Sequence, residues 1–184
     1  VAKSKHQDIT FQTLDITTIT PTTFDQKFDL IFSNFGGFNC LSKEELKAFF
    51  EVAPHLLNEK GKLAFVIMPK RTLWEQIYFS LKGEFKKAKR RMTESFVLAN
   101  VNGVNVKTWY FNPIDIRKNS SSFLVSKIKP IGLWVPPSYL ESSFLGKKNP
   151  LNFLKLLDGI FSWSFLSKYT FVLSSSFFRK QHIT

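Results

Sequence analysis

The spacing of apolar and polar positions in the first half of the chain predicts strands alternating with helices. Residues 9–14 alternate apolar and polar side chains, which predicts a short strand. Residues 28–33 are almost continuously apolar and run into Asn34-Phe35-Gly36-Gly37, the pattern of a buried parallel strand followed by a loop. Residues 62–68 predict a second buried strand, which Pro69 ends.

Two helices are predicted around the second buried strand. Ser42 and Glu45 form a capping-box signature, and apolar residues then recur at spacings of three and four. The apolar face consists of Leu46, Phe49, Phe50, Ala53 and Leu57. We expect this helix to end near Asn58, with a turn at Gly61, and a second helix to run from about Thr72 into a basic cluster.

The second half predicts a hairpin followed by mixed elements. Residues 96–111 contain Asn102-Gly103 between two β-prone runs, which indicates a tight turn. Beyond it we expect a short helix at 113–122, a strand at 123–134, an amphipathic helix at 151–165 and a strand at 168–178. Residues 1–184 are thus interpreted as one domain, with residues 96–122 as an insertion on the substrate side.

Alternation of buried strands with helices predicts an α/β domain with a mostly parallel sheet. In such sheets the loops at the carboxyl ends of the strands converge on one ligand-binding edge. Asp15, residues 33–39 and residues 68–74 are expected at that edge. The candidate binding residues are therefore those at this edge of the sheet.

Composition narrows the classes of protein. The chain of 184 residues is 43% hydrophobic and 16% aromatic, which excludes a disordered polyelectrolyte and predicts a sizeable core. No apolar run approaches the roughly 18 residues that a spanning helix needs, so we expect a soluble, cytoplasmic protein. The single cysteine, Cys40, and three scattered histidines predict neither a disulfide framework nor a metal site.

The net charge of +12 lies entirely in the second half. Residues 1–84 hold 10 basic and 10 acidic side chains, whereas residues 85–184 hold 16 and 4. The densest cluster, Lys82 to Arg91, is interpreted first as a solvated helix end. Weak association with anionic surfaces is also expected from such a field. No motif indicates specific binding to nucleic acid, and the oligomeric state stays open.

Residues 28–39, the helix after them and residues 59–66 together resemble the segment from the fourth to the fifth strand of class I S-adenosylmethionine-dependent methyltransferases. Residues 132–139 and the closing strand also resemble the small-molecule branch of that family. The resemblance implies a Rossmann-like three-layer α/β/α fold with an antiparallel last strand. The family's first strand with its Gly-x-Gly loop, and its second strand, have no counterpart in this sequence. We therefore expect a fold that is incomplete at the N-terminus, with residues 9–14 as the family's third strand and a β-hairpin insertion.

The resemblance implies S-adenosylmethionine as cofactor and a small molecule as methyl acceptor. Asp15 matches the acidic position that holds the adenine amine, and Ile16 would offer its amide to the ring. Ser33, Asn34, Phe35 and Gly36 would line the methionine end. From the residues alone, Asp15 is equally a turn or cap residue, and the second group a tight turn after a strand.

The acceptor side is expected to include Gly37, Phe38 and Asn39, as an aromatic wall with one amide. Arg71, Trp74 and Tyr78 follow the next strand and are further candidates for substrate binding. An exposed loop arginine and a core aromatic pair remain alternatives for these three. No catalytic residue is assigned, and Glu75 is a general base only if it points inward.

Aromatic residues in two later segments are expected to cover the acceptor pocket. These lid candidates are Trp109, Tyr110, Trp134 and Tyr139. Three functions remain open: methyl transfer by in-line displacement, a noncatalytic relative of the methyltransferases, and a basic module that binds anionic membrane or nucleic acid.

Overall fold

The computed structural model describes residues 9–34, 36–101, 103–120, 122–125, 128–131, 152–157, 171–174 and 178–180. Over these residues the chain has a mixed α/β fold. The strands are β1 (Phe28–Ser33), β2 (Leu57–Ile67), β3 (Val97–Val101), β4 (Val104–Thr108), β5 (Phe123–Val125), β6 (Lys129–Ile131), β7 (Phe171–Ser174) and β8 (Phe178–Lys180). The helices are α1 (Lys43–Leu56), α2 (Leu73–Leu81), α3 (Phe85–Ala88), α4 (Pro113–Asn119) and α5 (152–157). Two 3-10 turns, Ile16–Thr18 and Gly37–Cys40, flank β1.

The main sheet has the strand order β1-β2-β7-β6. β1 and β2 are parallel, β7 is antiparallel to β2, and β6 is antiparallel to β7. Therefore β1, β2 and β6 run in one direction and β7 runs in the other. Among the described residues, β3 and β4 form a separate hairpin and β5 and β8 a separate antiparallel pair.

The core lies between α1 and the sheet. The predicted capping box is confirmed: Glu45 N donates to Ser42 Oγ at 3.2 Å, and Ser42 N donates to Glu45 Oε2 at 2.7 Å. Phe38, Phe49, Phe50 and Phe65 pack with ring centroids 5.0 to 6.2 Å apart. Because tilted aromatic pairs bury large areas, this cluster fixes α1 on the sheet.

The turn predicted at Gly61 is a bulge inside β2. α1 ends at Leu56, with Pro54 in its last turn, and β2 begins at the next residue. The β1 register then shifts from Phe28 opposite Leu57 to Leu30 opposite Lys62. A Cβ on Gly61 would lie 2.9 Å from the carbonyl oxygens of Phe28 and Asn58, so the extra loop closes only around glycine.

Four other predicted elements are wrong in extent or type. Residues 9–14 are not a strand, because no described strand pairs with them. The helix from Thr72 into the basic cluster is broken at Gly83 into α2 and α3, since φ there is +72°. The strand predicted at 123–134 is two strands, β5 and β6, in different sheets. The strand predicted at 168–178 is likewise divided between β7 and β8, which pair with different neighbours.

β1 is only half buried, contrary to its apolar sequence. Leu30 and Phe32 are 53% and 56% exposed, and among the described residues β1 pairs with β2 alone. An apolar strand at a sheet edge leaves one face in water unless another element covers it. The predicted hairpin is present as β3 and β4, and the predicted short helix as α4. Residues 152–157 are helical within the predicted 151–165.

Candidate functional site

The loop after β1 is a tight turn that packs against the end of β2. Gly36 has φ +68°, and a Cβ there would lie 3.0 Å from Met68 Cε and 3.2 Å from Asn39 Oδ1. Gly37 N donates to Asn34 O at 3.1 Å. A side chain at Gly36 is therefore excluded both by its backbone conformation and by its neighbours. Ser33 is half-buried and Asn34 exposed, whereas Phe35 lies outside the described residues.

Asn39 ties three segments together and does not face a ligand. Its Nδ2 donates to Met68 O at 3.1 Å and to Trp109 O at 2.6 Å, and its Oδ1 accepts from Met68 N at 2.8 Å. Its main-chain oxygen accepts from Trp109 N at 2.7 Å. The side chain is 0% exposed and both amide hydrogens are donated to backbone. In this structure the Asn39 amide is therefore bonded to backbone and has no exposed atom for a substrate.

Phe38 also belongs to the hydrophobic core. It is 1% exposed, and its ring lies 5.0 Å from that of Phe49 and 5.2 Å from that of Phe65. The 3-10 turn Gly37–Cys40 directs its side chain inward, towards α1. Gly37 is exposed at the start of this turn. Of the three residues predicted there, Gly37 is exposed, whereas Phe38 is 1% exposed and Asn39 0%.

Asp15 caps the 3-10 turn Ile16–Thr18. Its Oδ1 accepts from Thr17 N at 2.9 Å and from Thr17 Oγ1 at 2.8 Å. The bond from the Thr17 backbone amide, followed by that from its hydroxyl, lowers the pKa of this exposed carboxyl. Asp15 thus precedes a 3-10 turn and does not follow a strand. Ile16 beside it is half-buried.

A cavity of about 340 Å³ runs along β1. It brings together two of the predicted cofactor residues, Ile16 and Ser33. The remaining lining is apolar and comes from residues 19–32, the 3-10 turn after β1 and α1; it consists of Ile19, Phe24, Phe28, Leu30, Ile31, Phe32, Phe38, Phe49 and Leu56. Its volume and apolar lining are those of a small ligand pocket with one polar end.

The end of β2 presents a second group of predicted residues. Arg71 is exposed, and Trp74 and Tyr78 are half-buried on α2. Trp74 Nε1 is buried and has no hydrogen-bond partner among the described residues. Tyr78 contacts the Phe79 ring and lies beneath Lys82 Nζ, 4.5 Å from its ring centroid. Tyr78 therefore contacts neighbours along its own helix and turn.

A buried ion-pair cluster beside this end of β2 was not predicted. Glu75 is 3% exposed and accepts from Arg90 Nε at 2.6 Å and from Arg91 Nη2 at 2.5 Å. Thr72 Oγ1 donates to it at 3.2 Å, and the Arg91 guanidinium lies 4.8 Å from the Tyr110 ring centroid. Glu75 points inward, but two guanidinium groups occupy its carboxylate, which disfavours a role as general base.

The sequence contained a signal for this cluster. Glu75 is the acidic residue of the first turn of α2, and two adjacent arginines follow the break at Gly83. If the chain folds back after such a break, the arginines can form ion pairs with the carboxylate. The sequence interpretation assigned all six basic residues from Lys82 to Arg91 to a solvated helix end. Two of them instead neutralise Glu75.

Glu94 links the segment before the hairpin to the loops near the site. It forms ion pairs with Lys43, at the start of α1, and with Lys70, after β2. The hydrogen bonds from these two ammonium groups lower the pKa of Glu94 from 4.5 to about 2. The Glu94 side chain is 72% exposed, so solvent screens both pairs.

The predicted lid residues have different positions. Tyr110 is buried, and Trp109 is half-buried with its ring 5.6 Å from that of Phe96. Trp109 is also bonded through its backbone to Asn39, so the base of the hairpin is fixed to the loop after β1. Trp134 and Tyr139 lie outside the described residues.

Within the part of the chain that the structure describes, no group of histidine, cysteine and carboxylate side chains is arranged to hold a metal ion. The described helices include none with the length and apolarity needed to cross a membrane.

Comparison with known proteins gives partial structural matches of low sequence identity. No protein-family model matches the chain, and no curated protein matches it significantly. One similar solved structure is an S-adenosylmethionine-dependent methyltransferase from Clostridium acetobutylicum ATCC 824, with 14% identity and a TM-score of 0.49. Another is the PH0226 protein from Pyrococcus horikoshii OT3, with 15% identity and a TM-score of 0.47. Each match covers 71% of this chain, which spans 61% of the length of either structure.

Proposed function

We propose that the chain carries a class I S-adenosylmethionine-dependent methyltransferase fold and takes part in methyl transfer to a small molecule. The observation that carries this proposal is the strand order β1-β2-β7-β6, with β7 antiparallel between β2 and β6. The resembled family has the order three, two, one, four, five, seven, six, with an antiparallel last strand. β1, β2, β6 and β7 correspond to its fourth to seventh strands in chain order and in neighbours. The sequence resemblance of residues 28–39 and 59–66 independently supports the first two assignments.

The cavity along β1 fits the adenine end of the cofactor. Its apolar lining suits a flat aromatic ring, and Asp15 stands next to Ile16 at its border. Both hydrogen bonds that the Asp15 carboxylate accepts from Thr17 end on Oδ1, so Oδ2 has lone pairs for the adenine amine. In this proposal Ile16 offers its backbone to the ring. Ser33, Asn34, Phe35 and Gly36 follow towards the methionine end.

S-adenosylmethionine, when bound, supplies a methyl group on a sulfonium, which an acceptor takes by in-line displacement. This chemistry asks the protein mainly to align the two reactants and to exclude water. Asn39 and Phe38 are positioning residues in this proposal, because they hold the loop after β1 against β2 and α1. Gly37, Arg71, Trp74 and Tyr78 form the proposed acceptor side.

Titration of S-adenosylhomocysteine, the demethylated cofactor, tests the proposal by nitrogen-15 amide chemical shifts. Weak binding is detectable in this way, and the shifted amides locate the ligand. We expect the shifts to concentrate at residues 15–19 and 28–37. Asp15→Ala is expected to weaken binding by about tenfold, because it removes one charge-assisted hydrogen bond worth roughly 1.5 kcal/mol.

Asp25→Ala is the matched control, since Asp25 is an exposed aspartate of the same segment and does not line the cavity. It should leave the affinity unchanged. Absence of shifts at millimolar ligand, or equal losses in the two variants, would contradict the assigned cofactor site and leave the noncatalytic relative as the better hypothesis.

A further inference from the structure

The turn between α2 and α3 is a rigid, outward-facing corner. Lys82 ends α2 and Gly83 has φ +72°; Glu84 N then donates to Phe79 O at 2.8 Å, and Gly83 N donates to Ser80 O at 3.0 Å. These two bonds are the Schellman pattern, which satisfies the last carbonyl groups of a helix. We call residues 77–89 the α2–α3 corner. Its shape is fixed by backbone hydrogen bonds and not by packing of its exposed side chains.

Large apolar side chains of this corner face solvent. Leu81 is 84% exposed, Phe85 61% and Ile77 43%. Ile77 and Leu81 are four residues apart on α2 and therefore share a helix face. Phe85 begins α3 directly after the turn. On an ordinary protein surface, exposed large apolar side chains are scattered singly. Three of them within nine residues form a denser apolar patch than that.

Lysines surround these apolar side chains. Lys82, Lys86 and Lys89 are exposed. Among the described residues, none of the three forms an ion pair with an acidic side chain. The single acidic residue of the corner, Glu84, pairs with Lys87 at 2.9 Å. The Lys82 ammonium lies over the Tyr78 ring. Its hydrogen bond with the Tyr78 side chain is the main cause of the raised pKa of Lys82. Residues Gly83 to Lys87 line an open surface depression of about 530 Å³ between these side chains.

We propose that the α2–α3 corner is a docking surface for an anionic phospholipid bilayer. Exposed Leu81 and Phe85 can enter the boundary between headgroups and acyl chains, while Lys82, Lys86 and Lys89 contact lipid phosphates. Nucleic acid would satisfy the lysines but would leave Leu81 and Ile77 in water, because phosphate contacts bury little aliphatic surface. The combination of apolar tips and a lysine border therefore favours lipid. This inference is independent of the proposed methyl transfer.

Flotation of the intact chain with phosphatidylcholine vesicles, with and without phosphatidylserine, tests the proposal. Binding is expected only to the anionic vesicles. It should weaken when ionic strength rises from about 0.1 M to about 1 M, because the screening length falls from about 10 Å to about 3 Å. Loss of one lysine of the α2–α3 corner should lower the partition coefficient by about fivefold, and loss of the Phe85 ring should lower it further.

The decisive pair of variants is F85S/K86A and I114S/K118A. Each loses one lysine and one apolar side chain, and Phe85 and Ile114 are 61% and 60% exposed. We expect F85S/K86A to lose vesicle binding by more than tenfold and I114S/K118A to lose less than threefold. Equal losses would show that net charge, and not the corner, is responsible, and would overturn the proposal. So would binding of a fluorescent oligonucleotide by the parent chain without vesicle binding.

Discussion

Two regions of this molecule contain several polar or charged side chains, but in one region these side chains are buried and in the other they are exposed. At the carboxyl ends of β1 and β2, Asn39 and Glu75 are buried and bonded to their own chain. At the α2–α3 corner, Lys82 and Lys86 are exposed beside Phe85. Because a buried polar group must find a partner, the fold that encloses it also supplies that partner. The exposed group keeps its capacity for an external ligand, so burial, and not residue type, separates structural from binding residues here.

The largest expected effect that tests this contrast is Asn39→Ala. The substitution would leave Met68 N–H and Trp109 C=O buried without their side-chain partner. We expect a loss of about 4 kcal/mol in the free energy of unfolding, measured by urea denaturation. Asn58→Ala is the control, because Asn58 donates to Asp29 in an exposed bond of 2.8 Å. This substitution should lower the free energy of unfolding by under about 1 kcal/mol. Equal losses in the two variants would contradict the proposed role of Asn39 in joining the three segments.

The next effect is expected at Glu75→Gln. The neutral side chain would leave Arg91, whose side chain is 12% exposed, without its carboxylate. We expect about 3 kcal/mol of destabilisation by thermal or urea unfolding, at the low end for a buried pair because Arg90 is 47% exposed. Glu51→Gln, in the exposed Lys47–Glu51 pair, should change stability by under about 0.5 kcal/mol. A loss at Glu75 no larger than this would show that the cluster is not effectively buried.

The smallest effect is expected at Glu94, which is charged and exposed. Its folded pKa of about 2 lies below the ordinary 4.5, so its contribution to stability is present above 4.5 and is lost as pH falls through about 2. Because the pairs with Lys43 and Lys70 are screened, we expect the difference between the parent chain and Glu94→Gln to stay under about 1 kcal/mol above pH 4.5. Unfolding free energies along a pH series check this. A difference that grew on acidification would contradict the sign.

Local signals in the sequence predicted several elements well. The capping box at Ser42 and Glu45 and the hairpin around Gly103 depend on contacts between residues close in the chain. The apolar face of α1 was predicted from its spacing of three and four residues, and the structure has all three features. The parallel pairing of β1 and β2 was predicted because a helix joins two apolar strands. These features need no knowledge of distant segments.

Site residues were predicted less well. Asn39 and Phe38 stand in the predicted loop, but the 3-10 turn Gly37–Cys40 directs both side chains inward. Glu75 was considered only as a base, because its partners lie 15 and 16 residues further along the chain. The strand predicted at residues 9–14 failed for a related reason. Alternation fits a strand only where a neighbouring strand completes its hydrogen bonds.

By itself, the sequence determined the α/β alternation, the caps and turns, and the concentration of positive charge in the second half. These follow from short-range hydrogen bonding, backbone preference and composition, which act without reference to the rest of the chain. Only the tertiary structure decided that Asn39 joins β1, β2 and the hairpin, and that two arginines neutralise Glu75. It also decided that Leu81 and Phe85 stay in water beside lysines. Burial is the reason, since it is set by which distant segments cover a residue and no local pattern encodes it.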